Sequence, residues 1–128
     1  VDGRVTGSGS ITKNGTGTIR LTSNANDFTG SISANDGKVT SAAVNALGGV
    51  AAGVTIASGA TLEFDGAFDP AAEPLTIAGP GEANQGALRS VNGPAGGTRV
   101  LASSITTTNS AVITSATAGS TLQLTGQI

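Results

Sequence analysis

The 128-residue chain has only 11% charged residues, a formal net charge of −2, and neither cysteine nor histidine. Without these two side chains, disulfides, thiol nucleophiles, the usual catalytic triads and zinc sites are excluded. The six basic residues stand singly and the aromatic residues are three phenylalanines. The sequence therefore offers neither a basic patch nor a set of stacking aromatic side chains that could bind nucleic acid. No apolar run has the length needed to cross a bilayer, and no signal-peptide pattern is present.

Short strands separated by glycine and asparagine turns are predicted from the N-terminus onward. Ile19 and Leu21 alternate with threonine and arginine, which is typical of a strand with one buried face. Phe28, Ile32 and Val39 are expected to face inward in the next two strands. Asparagine, aspartate and glycine supply the corners because they tolerate the backbone of tight turns. The predicted strands of this part are residues 11–13, 18–22, 28–33 and 38–41.

The middle of the chain mixes strands with two excursions. Residues 41–49 are interpreted as a loop or a single helical turn with Leu47 anchored in the core. Residues 66–74 contain two prolines, which remove donors from a strand ladder and predict a second excursion. Residues 98–128 are a nearly continuous β-favouring stretch. The strands predicted between these segments are residues 54–56, 61–65, 75–78 and 87–91.

Internal repetition favours a coiled array over a globule. The segment SGATLEFDG at residues 58–66 recurs as AGSTLQLTG at residues 118–126. A two-sheet sandwich commonly has a large aromatic core residue, and this chain has no tryptophan. The pattern therefore predicts one all-β segment over residues 1–128, a parallel β-helix (β-solenoid) of five or six coils that rise about 4.8 Å each.

The first part of the chain resembles a known family. The segment GSITKNGTGTIRLT at residues 9–22, followed by Phe28, Gly30, Val39 and the Ala46-Leu47-Gly48 triplet, is similar to the passenger-associated repeat of bacterial autotransporter proteins. Ser23 stands where the family usually has glycine. The resemblance implies a right-handed parallel β-helix exported to the cell surface, in the stalk of an adhesin or a similar large protein.

The two ends of the chain suggest continuation. In such repeats a strand of the type TLxLTGxI runs directly into a GSGSITK segment, and here the two motifs lie at residues 121–128 and 7–13. We therefore expect one module of a longer tandem array, or copies that stack end to end. Open coil ends are strand edges that need a cap or a partner.

Several residues are candidates for a functional site. Glu63, Asp65, Asp69 and Glu73 could hold calcium or act as the acid pair of a polysaccharide-cleaving β-helix, although solvated acids on an outer face explain them more simply. Asn14-Gly15-Thr16 fits a glycosylation sequon but is foremost a turn. Residues 106–108, a threonine run, could form an outer face for sugar or ice-like binding, although β-branched residues that suit an exposed strand explain them more simply. Neither glycine-rich piece, residues 7–17 and 93–97, has a phosphate-binding pattern.

Asparagines at the corners allow two arrangements. Asn24, Asn26 and Asn35 could form a stacked ladder inside the coil, where each amide bonds its neighbours above and below, or they could face solvent. No catalytic, cofactor-binding or metal residue is assigned. The leading prediction is a non-enzymatic rod or self-stacking filament module on a bacterial surface. An adhesin segment that binds glycan or host protein, and a fragment of a polysaccharide-active enzyme, are the alternatives.

Overall fold

Twelve short parallel strands wind into five coils in a computed structural model that describes residues 1–128. Coils 1–3 have two strands each, and coils 4 and 5 have three. The strands are β1 (Ile11–Lys13) and β2 (Thr18–Leu21) in coil 1; β3 (Ile32–Ala34) and β4 (Gly37–Ser41) in coil 2; β5 (Val54–Ile56) and β6 (Ala60–Asp65) in coil 3; β7 (Leu75–Ala78), β8 (Leu88–Val91) and β9 (Thr98–Leu101) in coil 4; and β10 (Ile105–Thr108), β11 (Ile113–Ser115) and β12 (Thr121–Leu124) in coil 5.

Strands stack into three sides of the coil. Side A contains β1, β3, β5, β7 and β10, side B contains β2, β4, β6, β8 and β11, and side C contains β9 and β12. Every pair is parallel and each strand lies on its counterpart in the preceding coil. The prediction of a parallel β-helix is therefore confirmed. The single helical element is a three-residue 3-10 turn, Glu82–Asn84, so no helix reaches the length or the apolarity that crossing a membrane requires.

Aliphatic side chains form continuous rows inside the coil. The pairing register places one all-aliphatic inward row on side A and one on side B, each beside a second inward row of mixed composition, and period-2 alternation turns the intervening polar residues outward. Residues in the middle of each row are fully buried, and burial of one such side chain is worth about 1.5–3 kcal/mol. The rows are Ile11, Ile32, Val54, Leu75 and Ile105 on side A, and Ile19, Val39, Leu62, Leu88 and Ile113 on side B.

Lys13 occupies an inward position at the open end of side A, where no coil lies beneath it. The register aligns it with Ala34, and Ile56 and Ile77 follow in the same row. Its ammonium group donates to the carbonyl oxygens of Asn14 at 3.1 Å and Asp36 at 3.3 Å, and also to that of Gly15. Lys13 therefore satisfies carbonyls at the corners of coils 1 and 2.

Side C changes character along the axis. Coils 1–3 cross it with loops, residues 22–31, 42–53 and 66–74, and strands appear only in coils 4 and 5. Phe28 and Leu47 are 1% and 5% exposed, so both face inward as predicted. Phe28 nevertheless lies in a loop, because the strand predicted at residues 28–33 begins only at Ile32. Of the residues 41–49, Ser41 ends β4 and the others form turns and irregular backbone without a helix. Loop backbones still bond between coils, for example Gly49 N to Phe28 O at 2.8 Å.

The structure adds two details to the sequence interpretation. The recurring segments do not stack, because Thr61 to Phe64 lie in β6 on side B whereas Thr121 to Leu124 form β12 on side C. The shared pattern describes a strand that begins after a glycine with positive φ, 93° at Gly59 and 71° at Gly119, and this local property does not determine the side. The β-favouring residues 98–128 form four separate strands.

Both ends of the coil carry the start of a further turn. Residues 1–7 run beneath side C, where Val5 O accepts from Asp27 N at 3.1 Å and Gly7 O from Thr29 N at 2.8 Å. At the other end, Ile105 N donates to Gln127 O at 2.7 Å, as Ile11 N donates to Ser31 O at 2.9 Å. Ile128 thus begins a sixth position in the inward row of side A, and it is 70% exposed.

Candidate functional surfaces

Side chains fill the interior of the coil and no pocket opens at the surface. Candidate functions must therefore be sought on the outer faces, the side C loops and the two ends. The four acidic residues singled out from the sequence lie within one stretch of eleven positions, Glu63 to Glu73. The structure places them in four different environments, and no three acids come together in a group able to hold a metal ion.

Glu63 belongs to an ionic cluster on the outer face of side B. Its carboxylate lies 3.1 Å from Nη1 of Arg89 and 3.4 Å from Nζ of Lys38, and Oε1 also accepts from the hydroxyl of Thr40 at 3.3 Å. Lys38 lies in addition 3.9 Å from Glu82. The Glu63 side chain is 11% exposed, so it is less solvated than an outer-face acid was expected to be. The cluster ties coils 2, 3 and 4 together.

Asp65 lies two residues after Glu63, at the end of β6, and is also paired. It accepts from the amide of Asn92 at 2.7 Å and forms an ion pair with Arg20. Partial burial favours a higher pKa for this carboxyl, but the hydrogen bonds from Asn92 and Arg20 outweigh burial and leave the pKa below its ordinary value. Arg20 and Asn92 belong to coils 1 and 4, so this contact also spans several coils.

Asp69 and Arg99 connect the loop of residues 66–74 to side C. Asp69 Oδ1 accepts from Val100 N at 2.7 Å. Arg99 is fully buried, with its guanidinium 4.9 Å from the ring centre of Phe68 and 6.0 Å from that of Phe64. It donates to the Gly66 carbonyl, while Nε and Nη1 have no partner. Burial lowers the pKa of Arg99, against the opposing effect of nearby carboxylates.

Glu73 ends the same loop and is buried at 2% exposure, although it was expected to be a solvated loop acid. Its Oε1 has no hydrogen-bond partner, and desolvation raises its pKa to about 7. Leu75 and Ile105 are stacked in neighbouring coils. Glu73 precedes Leu75 by two positions, and Ser103 precedes Ile105 by two positions. Ser103 is likewise buried with an unpartnered hydroxyl.

The solvent-facing alternative is confirmed for Asn24 and Asn35, which lie at exposed corners and bond asparagines of a neighbouring coil. Asn35 donates to Asn14 Oδ1 at 2.8 Å, and Asn45 N donates to Asn24 Oδ1 at 3.0 Å; all four residues are exposed. Asn26 alone is buried. It donates to Ala46 O at 2.8 Å and accepts from Val5 N at 2.8 Å, which bridges the coils above and below it.

The Asn14-Gly15-Thr16 sequence forms an exposed turn, with φ of 75° at Gly15. The threonine run at residues 106–108 is exposed in β10, the last strand of side A. Residues 7–17 and 93–97 supply turns and connections around the strands. None of these features brings charged side chains together into a binding site.

Two buried polar residues were missed by the sequence interpretation. Period-2 alternation allows either Arg99 with Leu101 or Thr98 with Val100 on the inner face of β9. In the structure Arg99 and Leu101 are buried and Val100 is partly exposed. The signal available was Leu101, whose position two residues on fixes Arg99 as inward. For Glu73 no local signal exists, because its burial depends on neighbouring coils.

In comparisons with known proteins, no family model, no curated protein and no solved structure matches this chain.

Proposed function

We propose that this chain is a structural, non-enzymatic segment of a bacterial extracellular appendage, in which stacked coils form a rigid rod that can be extended from its ends. One observation carries the proposal. The strand ladders of sides A and B run through all five coils without a break, and their terminal strands, β1 and β2 at one end and β10 and β11 at the other, each have one edge without a neighbouring strand. Such edges are templates for further pairing.

The cross-coil contacts support a mechanical role. Ion pairs on side B, asparagine pairs at the corners and Arg99 beneath the loop all join residues of different coils. These contacts resist bending and slippage between coils. The low charge and the resemblance of residues 9–48 to the autotransporter passenger-associated repeat favour the bacterial surface as its location.

The alternatives receive less support from the geometry. An adhesin that uses the loop of residues 66–74 would benefit from a protruding Phe68, but this ring packs against Arg99 and is only partly exposed. A polysaccharide-cleaving enzyme would need converging acids in a groove. Glu63 and Asp65 are instead held in separate ion pairs.

A tandem fusion tests whether the coil can be extended. Ile128 occupies the same row position at the start of a sixth coil that Ile11 occupies in the first coil. Joining Ile128 directly to residues 12–128 of a second copy should therefore continue the winding. We expect one cooperative unfolding transition, at a higher temperature than that of the single chain. The maximum dimension in small-angle scattering should be longer by about 24 Å, or five coils at about 4.8 Å.

A fusion shorter by one residue is the matched control. Joining Ile128 to Lys13 shifts the alternation by one position and turns inward residues outward. This control should scatter as two loosely connected bodies and melt like the single chain. If both fusions behave alike, the proposed continuation of the coil is wrong.

A further inference from the structure

The outer face of side A has no charged residue. Three rows of outward side chains cross it, and the register of the strands defines their members. All are small: serine, glycine, proline, threonine, alanine or asparagine. Side B, in contrast, carries Arg20, Lys38, Glu63 and Arg89 on its outer face. The side A rows are Ser10, Ser31, Gly53, Pro74 and Ser104; Thr12, Ser33, Thr55, Thr76 and Thr106; and Asn14, Asn35, Ala57, Ala78 and Thr108.

The central row consists entirely of hydroxyl residues, one from each coil. Each residue pairs directly with the next, so the hydroxyls repeat about every 4.8 Å over roughly 19 Å. Thr12, Thr55 and Thr106 are exposed, and Ser33 and Thr76 are partly exposed. We call this set the hydroxyl row.

The hydroxyls of this row have no hydrogen-bond partner within the protein, whereas three threonine hydroxyls of side B bond internally. Thr61 donates to Gly86 O at 2.8 Å, Thr114 donates to Gln85 O at 2.7 Å and Thr40 donates to Glu63. The hydroxyl row is therefore free to bond a ligand. Four of its five members are β-branched, with restricted χ1 rotation, and the backbone ladder fixes their spacing. Little side-chain entropy is lost when such a row is bound.

We propose that the outer face of side A binds the surface of ice through the hydroxyl row. A face without charge does not order water around ions, and equally spaced hydroxyl and methyl groups suit a ligand that is itself a regular lattice of hydrogen-bonded water. The hydroxyl repeat is close to a repeat of the ice lattice. A neutral polysaccharide is the competing ligand, but sugar rings usually stack on aromatic side chains. All three phenylalanines lie away from this face.

Ice shaping by the purified 128-residue chain tests the assignment. We expect single ice crystals grown in its presence to become faceted, and the chain to concentrate in the ice fraction during slow freezing. Thr55→Tyr places a large ring in the middle of the row and should abolish both effects. Thr106→Tyr, at the end of the row, provides a second variant that disturbs only the last coil.

Thr98→Tyr is the matched control, because Thr98 is also an exposed strand threonine but lies on side C. It should retain ice shaping, and circular dichroism should show the parent fold in all variants used. Absence of shaping by the folded parent chain overturns the proposal. So does shaping that survives in both row variants. Binding of the parent to insoluble cellulose or chitin, lost in Thr55→Tyr and without ice shaping, would assign the face to neutral glycan instead.

Discussion

Gly48 shows how closely the side C loops approach each other. It lies above Phe28, and a Cβ added to Gly48 would come within 2.7 Å of the ring carbon Cε1 and of the Phe28 carbonyl oxygen. Its φ of +87° also disfavours any other residue. The backbone of one coil therefore packs directly on the aromatic ring of the coil below. This contact accounts for the glycine in the Ala46-Leu47-Gly48 triplet.

Two glycine substitutions separate steric contact from backbone strain. Gly59 has a similar φ of +93°, but nothing lies within 4 Å of an added Cβ. We expect Gly59→Ala to lower the free energy of unfolding by about 1 kcal/mol through strain alone. Gly48→Ala should lower it by about 3 kcal/mol because the methyl group also displaces Phe28. Urea unfolding measures both values, and equal losses would contradict the packing described.

Glu73 is expected to make stability depend on pH. Its pKa rises from 4.5 to about 7 in the folded chain, so the folded state binds more protons than the unfolded state between these values. The free energy of unfolding therefore falls as pH rises through this window and levels off above it. Complete ionisation costs up to about 3 kcal/mol.

The Glu73→Gln variant removes the titrating group while it keeps nearly the same shape. Urea unfolding of the parent and the variant, measured from pH 4 to pH 8, gives a difference curve in which the other acidic residues largely cancel. We expect the parent to lose stability relative to Glu73→Gln as the pH increases. Parallel curves would show that Glu73 is solvated in the folded chain.

At the scale of strands, the side B cluster links β4, β6 and β8 through cross-strand pairs. Glu63 is the centre, because Lys38 and Arg89 lie on opposite sides of it. Glu63→Gln leaves two cations facing each other with no carboxylate between them. The free energy of unfolding should fall by about 1–2 kcal/mol, less at high salt.

Asp27→Asn is the control for this prediction. Asp27 pairs with Arg4, but both side chains are about half exposed. Pairs of this kind contribute little because water and salt screen them. We expect no measurable change in chemical unfolding for Asp27→Asn. A comparable loss in both variants would mean that the position of Glu63 between two coils adds nothing.

For the molecule as a whole, the solenoid was predictable because each strand has a local sequence signal. Ile19 and Leu21 alternate with polar residues, Gly37 ends a corner, and the proline-containing residues 66–74 leave the ladder as expected. The separation of Glu63, Asp65, Asp69 and Glu73 was not predictable. Which coil covers a residue depends on the lengths of all the loops that precede it, and a local sequence pattern carries no information about those lengths. The same cause placed the two recurring segments on different sides.

The loops on side C can change in size without changing the length of the solenoid. Each turn advances the axis by one strand spacing whether it crosses side C with a loop, as in coils 1–3, or with a strand, as in coils 4 and 5. Insertions and deletions there alter girth and leave the end-to-end span unchanged. Loops on side C can thus vary in sequence and size during evolution, while the number of coils alone sets the length of the protein.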